Sequence, residues 1–192
     1  MKYLIKILPV LLLLMACKSG PEVIDDLTDR PFEVVNQNGE AVTFPDDYKG
    51  KYVIMGFIYT NCPDICPLVT QNMIKVQKAL GNPDDVQFLG VTFDPKRDTP
   101  SVLKQYKNVF DLEQNFDFLT ADSATVSELM DSVRVRSQVS FTQERDDGKE
   151  IYFMNHSDKI MVINKEGQVI FEYGGSMTPV NYIVEDLKTV RG

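Results

Sequence analysis

Two cysteines and one histidine carry the chemistry open to this chain. Cys62 and Cys66 stand in Thr60-Asn61-Cys62-Pro63-Asp64-Ile65-Cys66-Pro67, a C-x-x-x-C spacing about one helical turn long. Two sulfurs so close along the chain share one soft ion or close on each other. Two thiolates suit Cu(I) or Zn(II). A closed zinc site takes four ligands. Beyond the N-terminal segment the sequence offers two Cys and a single His, His156 in Tyr152-Phe153-Met154-Asn155-His156-Ser157. Three ligands suit copper better than structural zinc. One His also excludes every triad or metal site that needs two.

The remaining cysteine, Cys17, has a different setting. Met1 to Ala16 begins with Lys2 and Lys6, continues as an apolar run broken only by Pro9, and ends in Leu14-Met15-Ala16-Cys17. The run is too short to span a bilayer as a helix. It fits a secretory signal ending in a bacterial lipobox, so Cys17 is expected to become the lipid-bearing first residue. That places the protein in the bacterial cell envelope, lipid-anchored with its domain on the periplasmic side. Removing residues 1–16 leaves 18 basic against 28 acidic groups, a charge of −10. This balance speaks against nucleic acid and for a cationic or metal-ion partner. Outside the cytoplasm the Cys62–Cys66 pair is open to three fates: disulfide, dithiol or metal site.

The elements that must position these groups follow from periodicity. Residues 17–30 read as a polar tether and 31–192 as one α/β domain. Phe32–Val35 and Ala41–Phe44 flank Asn36-Gln37-Asn38-Gly39, a hairpin signal. The apolar run Lys51–Tyr59 suits a central strand covered on both faces. Leu68 to Leu80 has helical spacing, with Pro67 expected at the first helical position and Cys66 just before it. There the unpaired amides would favour a Cys66 thiolate. Val86–Phe93 and Phe116–Thr120 are further strands. Thr99 with Pro100 starts one helix, and Asp122 or Ser123 starts another. Arg134 to Glu150 reads as a mobile polar loop, Lys159–Tyr173 as a hairpin, and Pro179–Arg191 as a last helix. Strands alternating with helices predict a mixed sheet with helices on both faces. His156, at the entry to the strand at Lys159, should reach the rim where the Cys loop lies. Met55, Met73 and Met161 read as core, and Asp46-Asp47 and Asp84-Asp85 as solvated loop charge.

Gly56 to Pro67, with its Cys62 and Cys66, resembles the signature of the Sco/SenC family. Val91-Thr92-Phe93-Asp94-Pro95-Lys96-Arg97-Asp98-Thr99-Pro100 is similar to that family's second motif, and Tyr152 with His156-Ser157 to its third. The similarity runs from about Phe32 to the end. It implies a thioredoxin-like fold with an extra N-terminal β-hairpin. It also implies a membrane-anchored copper chaperone, not an enzyme in the strict sense, that helps build the copper A site of cytochrome c oxidase. Copper, as Cu(I) or Cu(II), would be held by Cys62, Cys66 and His156. The partners would be the oxidase's copper-bearing subunit or another copper acceptor, and a thiol reductant. One departure stands out: Asn155 replaces the Asp that commonly precedes the His.

Two rivals share the fold class. A thiol-disulfide oxidoreductase of the thioredoxin class, a reductant of target cysteines, usually has C-x-x-C faced by a cis-proline. This sequence has no proline between Pro100 and Pro179, and His156 occupies that neighbourhood. A peroxiredoxin-like peroxidase needs a Thr or Ser and an Arg around one attacking Cys, and no such constellation precedes Cys62.

Overall fold

The strands in chain order are β1 (Asp25–Asp26), β2 (Phe32–Asn36), β3 (Ala41–Phe44), β4 (Tyr52–Ile58), β5 (Val86–Thr92), β6 (Phe116–Thr120), β7 (Ser137–Glu144), β8 (Glu150–His156), β9 (Ile160–Ile163) and β10 (Gln168–Tyr173). The helices are α1 (Ile65–Ala79), α2 (Pro100–Val109), α3 (Ser123–Ser132) and α4 (Val180–Arg191). The computed structural model describes residues 20–144 and 150–192. The expected signal segment 1–16 and Cys17 lie outside the described residues. No helix among the described residues is long and apolar enough to cross a membrane.

Eight strands form one mixed sheet in the order β1-β10-β9-β4-β5-β6-β2-β3. β4, β5 and β6 are parallel, and β9 joins β4 antiparallel. Every residue of β4 and β5 is buried, which is why β4 reads as a nearly continuous apolar run. Gly56 and Gly90 pair across these strands and are needed for close approach. A Cβ on Gly56 would lie 2.5 Å from Met73 Sδ on α1, and one on Gly90 2.3 Å from a Phe118 ring carbon.

Three helices cover the face these glycines present. α1 packs on Gly56, Tyr106 of α2 meets the Phe118 ring edge-on at 5.3 Å, and the Tyr52 hydroxyl donates to the Val190 carbonyl of α4. Ile160 pairs with Gly56, so its neighbour Lys159 points to the other face. There the Lys159 ammonium donates to the Val133 carbonyl at the end of α3. This is the thioredoxin-like arrangement that the resemblance implies, with the β2–β3 hairpin added at the sheet edge beside β6.

The structure corrects four expectations. The tether does not extend to residue 30: Asp25–Asp26 pairs with β10 and Leu27 is fully buried, because the chain covers the outer edge of β10. The polar stretch from Arg134 is not one loop. Ser137–Glu144 pairs with Glu150–His156 as a separate two-stranded sheet, and Ser137–Glu144 is exposed along nearly its whole length and therefore lacks an apolar period (residues 145–149 lie outside the described residues). Thr99 occupies the N-cap of α2 without a side-chain cap bond, whereas Asp122 caps α3 by accepting from the Ala124 and Thr125 amides. Asp85 is not simply solvated, since Arg191 Nη2 holds it at 2.5 Å and pins the end of α4.

Candidate metal centre

β4 runs directly into the cysteine loop. Tyr59 follows the strand, residues 60–64 turn, and α1 begins at Ile65, two residues before the expected start at Pro67. Cys66 therefore lies inside the first helical turn, at 0 % exposure, while Cys62 is 9 % exposed at the mouth. The earlier start changes which sulfur meets the helix amides. The Cys66 amide donates to Cys62 Sγ at 3.4 Å, and Cys66 Sγ accepts instead from the Tyr59 amide, also at 3.4 Å.

The electrostatics correct the expectation of a Cys66 thiolate. The Cys62 thiol is drawn well below the ordinary thiol range. The largest cause is the hydrogen bond offered by the Cys66 thiol, which outweighs burial, and His156 and the Cys66 and Asp64 amides add to it. Cys66 is pushed the opposite way by that same partner and by its own burial. Burial works against a charged His156. The bond to Cys62, the Ser157 carbonyl and the nearby thiolate together overcome it and raise the imidazole. In the reduced, metal-free protein Cys62 is thus the sulfur held as thiolate.

His156 closes β8, four residues before β9, rather than opening the later strand. Its Nε2 lies 3.6 Å from Cys66 Sγ and 4.0 Å from Cys62 Sγ. Nδ1 donates to the Ser157 carbonyl at 2.9 Å, so Nε2 is the nitrogen that faces the sulfurs, and giving up its proton would free its lone pair for a metal ion. The three ligand atoms all lie within 4.8 Å of one another. An ion about 2.2 Å from each of three trigonal ligands would space them roughly 3.8 Å apart, so this arrangement accepts one soft ion with little rearrangement.

Aromatic rings wall the site. The Phe93 ring lies 4.7 Å from the imidazole, and the Tyr59 ring meets it edge-on at 5.8 Å. Behind the cysteine loop sits a fully buried carboxylate. Asp98 accepts from the Thr60 amide and hydroxyl and from the Thr92 hydroxyl, at 3.0, 2.5 and 2.6 Å. Burial raises its pKa, and the bonds from both threonines hold it back. Asn155 is exposed beside the imidazole, in a shallow pocket with Arg136 and Gln138.

The structure brings Cys62, Cys66 and His156 together as expected from the sequence. In the sequence Tyr59, Thr60, Phe93 and Asp98 carry no local signal of a role at the site. Phe93 and Asp98 stand within the second motif, but only the folded chain sets them against the site.

One prediction follows from the two sulfurs. In the reduced, metal-free chain, iodoacetamide should modify Cys62 before Cys66. Between pH 6 and 8 the rate at Cys62 should be nearly flat, whereas an unperturbed thiol speeds up about tenfold per pH unit below its pKa. Peptide mapping by mass spectrometry reads this out, and first labelling at Cys66 would contradict the assignment.

Comparison with known proteins agrees with the geometry. A family model described as SCO1/SenC matches residues 23–191. Bradyrhizobium japonicum ScoI, solved with copper bound, is 30% identical with a TM-score of 0.71, covering 83% of this chain and 97% of its own. A SCO1/SenC family lipoprotein from Bacillus anthracis is 28% identical with a TM-score of 0.71, covering 90% and 98%. BsSco is described as having a disulfide switch and as belonging to the Sco family of cytochrome c oxidase assembly proteins. It is 26% identical with a TM-score of 0.69, covering 88% and 95%. A family model spanning nearly all the described residues, on a chain that folds Cys62, Cys66 and His156 together, makes this protein a member of the SCO1/SenC family.

Proposed function

We propose that this protein carries copper, through Cys62, Cys66 and His156, to the copper A site of a cytochrome c oxidase. The observation that carries the reading is the convergence of two sulfurs and one imidazole nitrogen within 4.8 Å. This donor set suits Cu(I) through its thiolates and admits Cu(II) through the imidazole. The copper-bound ScoI relative and the oxidase-assembly role ascribed to BsSco support it. A protein acceptor is supported by Val139, Phe141 and Phe153, exposed on the hairpin that presents His156. Cys17, lipidated after removal of residues 1–16, would hold the domain at the periplasmic face of a membrane, as the lipoprotein relative supports.

A second reading, reduction of cysteines in the target, is favoured by the unequal sulfurs: a thiolate at Cys62, at the mouth of the site, and a fully buried partner at Cys66. Oxidase activity at limiting copper separates the two. Under copper delivery, Cys62→Ser and His156→Ala both fail, and added copper partly restores His156→Ala. Full assembly with His156→Ala but not with Cys62→Ser would establish the redox reading instead. Intact mass of the membrane-extracted protein from the same strain tests the anchor, and a chain still carrying Met1 would reject it.

A further inference from the structure

The hairpin β7–β8 that carries His156 shares no backbone ladder with the main sheet among the described residues. Its place is set by side chains on β8 just before the histidine. The Tyr152 hydroxyl donates to Asp94 Oδ1 at 2.6 Å, and the Met154 amide donates to the Tyr59 hydroxyl at 3.3 Å. Arg97 makes three contacts with Asp94 and Tyr152, and its guanidinium also lies 5.5 Å from the Tyr59 ring centre. Its Nε meets Asp94 Oδ2 at 2.5 Å, its Nη1 donates to the Tyr152 carbonyl at 2.8 Å, and its guanidinium lies 3.4 Å over the Tyr152 ring. Asp94 is 3% exposed, so the ion pair is shielded from solvent and from salt screening.

Asp94 and Arg97 belong to the turn between β5 and α2, and that same turn grips the cysteine loop. Asp98, next to Arg97, holds Thr60 two residues before Cys62, and Phe93, next to Asp94, packs on the imidazole. One short segment therefore ties the thiol loop on one side and the histidine strand on the other. A guanidinium fits this task because its planar fork can engage a carboxylate and a carbonyl while stacking on a ring.

We propose that Arg97 is a positioning residue for the third copper ligand. By clamping Tyr152 to Asp94 it fixes the hairpin so that His156 Nε2 faces both sulfurs. Without the clamp the site falls back to its two cysteines. The proposal rests on the copper-site reading above and adds to it the residue that decides whether the imidazole takes part.

The test is a double-mutant cycle on the purified full-length chain, with Cu(II) as probe. The readouts are affinity and the nitrogen hyperfine structure in electron paramagnetic resonance. Arg97→Met should weaken Cu(II) binding about 10- to 100-fold, the range for losing an outer partner of a metal ligand, and remove the imidazole signature. Arg97→Lys should not restore it, since one ammonium cannot make all three contacts. In a His156→Ala background, Arg97→Met should change affinity by less than about twofold, because the ligand it positions is gone. Equal losses in both backgrounds, or an intact imidazole signature in Arg97→Met, would overturn the proposal while leaving the copper reading standing. Should circular dichroism show Arg97→Met unfolded, Arg97→Lys, which keeps the charge but cannot make all three contacts, takes its place in the same cycle, with the same outcomes deciding. A wild-type chain that binds no copper would overturn both.

Discussion

One copper ion per chain is expected in the reduced protein, and close to none once Cys62 and Cys66 are joined. The two sulfurs lie within 4.8 Å of each other and closure brings them to about 2.05 Å, so the disulfide forms with local movement only. Forming that bond passes two electrons to the added oxidant and releases the remaining thiol proton, and it leaves neither sulfur the charge that binds a soft ion. His156 alone cannot hold copper against a chelator. Metal analysis of reduced and disulfide-closed samples, after passage over a chelating resin, measures the difference. Cys66→Ser should match the oxidised protein, since a buried hydroxyl at that position gives a poor donor. Equal copper in the oxidised and reduced samples would exclude the dithiol site.

The second large effect is expected at His156. Removing the imidazole leaves two thiolates, which suffice for linear Cu(I) but serve Cu(II) poorly. His156→Ala should therefore lower Cu(II) affinity by about 100-fold or more, given that losing even an outer partner of a ligand costs 10- to 100-fold. It should lower Cu(I) affinity by less. The near-visible charge-transfer band of thiolate-bound Cu(II) should disappear. Disulfide formation between Cys62 and Cys66 should stay nearly unchanged, because exchange needs only two sulfurs and an attacking thiolate. Optical titration with Cu(II) and thiol counting over an oxidation course supply the two readouts. An unchanged Cu(II) affinity in His156→Ala would mean the imidazole is not a ligand.

The asymmetry of the sulfurs shows where local reading stops. Pro67 after Cys66 looked like a helix start, because proline suits the first position. The helix instead begins at Ile65, and a two-residue difference moves the terminal amide from one cysteine to the other. Proline is tolerated throughout the first helical turn, so its place alone does not set the boundary. The hairpin from Ser137 escaped for a different reason. Its first strand, Ser137–Glu144, is exposed on both faces, so the period of two that marks a strand on a core never arose there.

By itself the sequence determined the donor types, the C-x-x-x-C spacing, the buried central strands and the order in which strands and helices alternate. These depend on residues within a few positions of one another. The tertiary structure alone decided that His156, 94 residues from Cys62, faces both sulfurs, and which sulfur is the thiolate. It also decided that the turn at Asp94–Asp98 grips both sides of the site. Those facts rest on strand pairing, burial and hydrogen bonds between distant segments. A periodic pattern says which face of an element is apolar, but the packing of one element on another decides what that face meets.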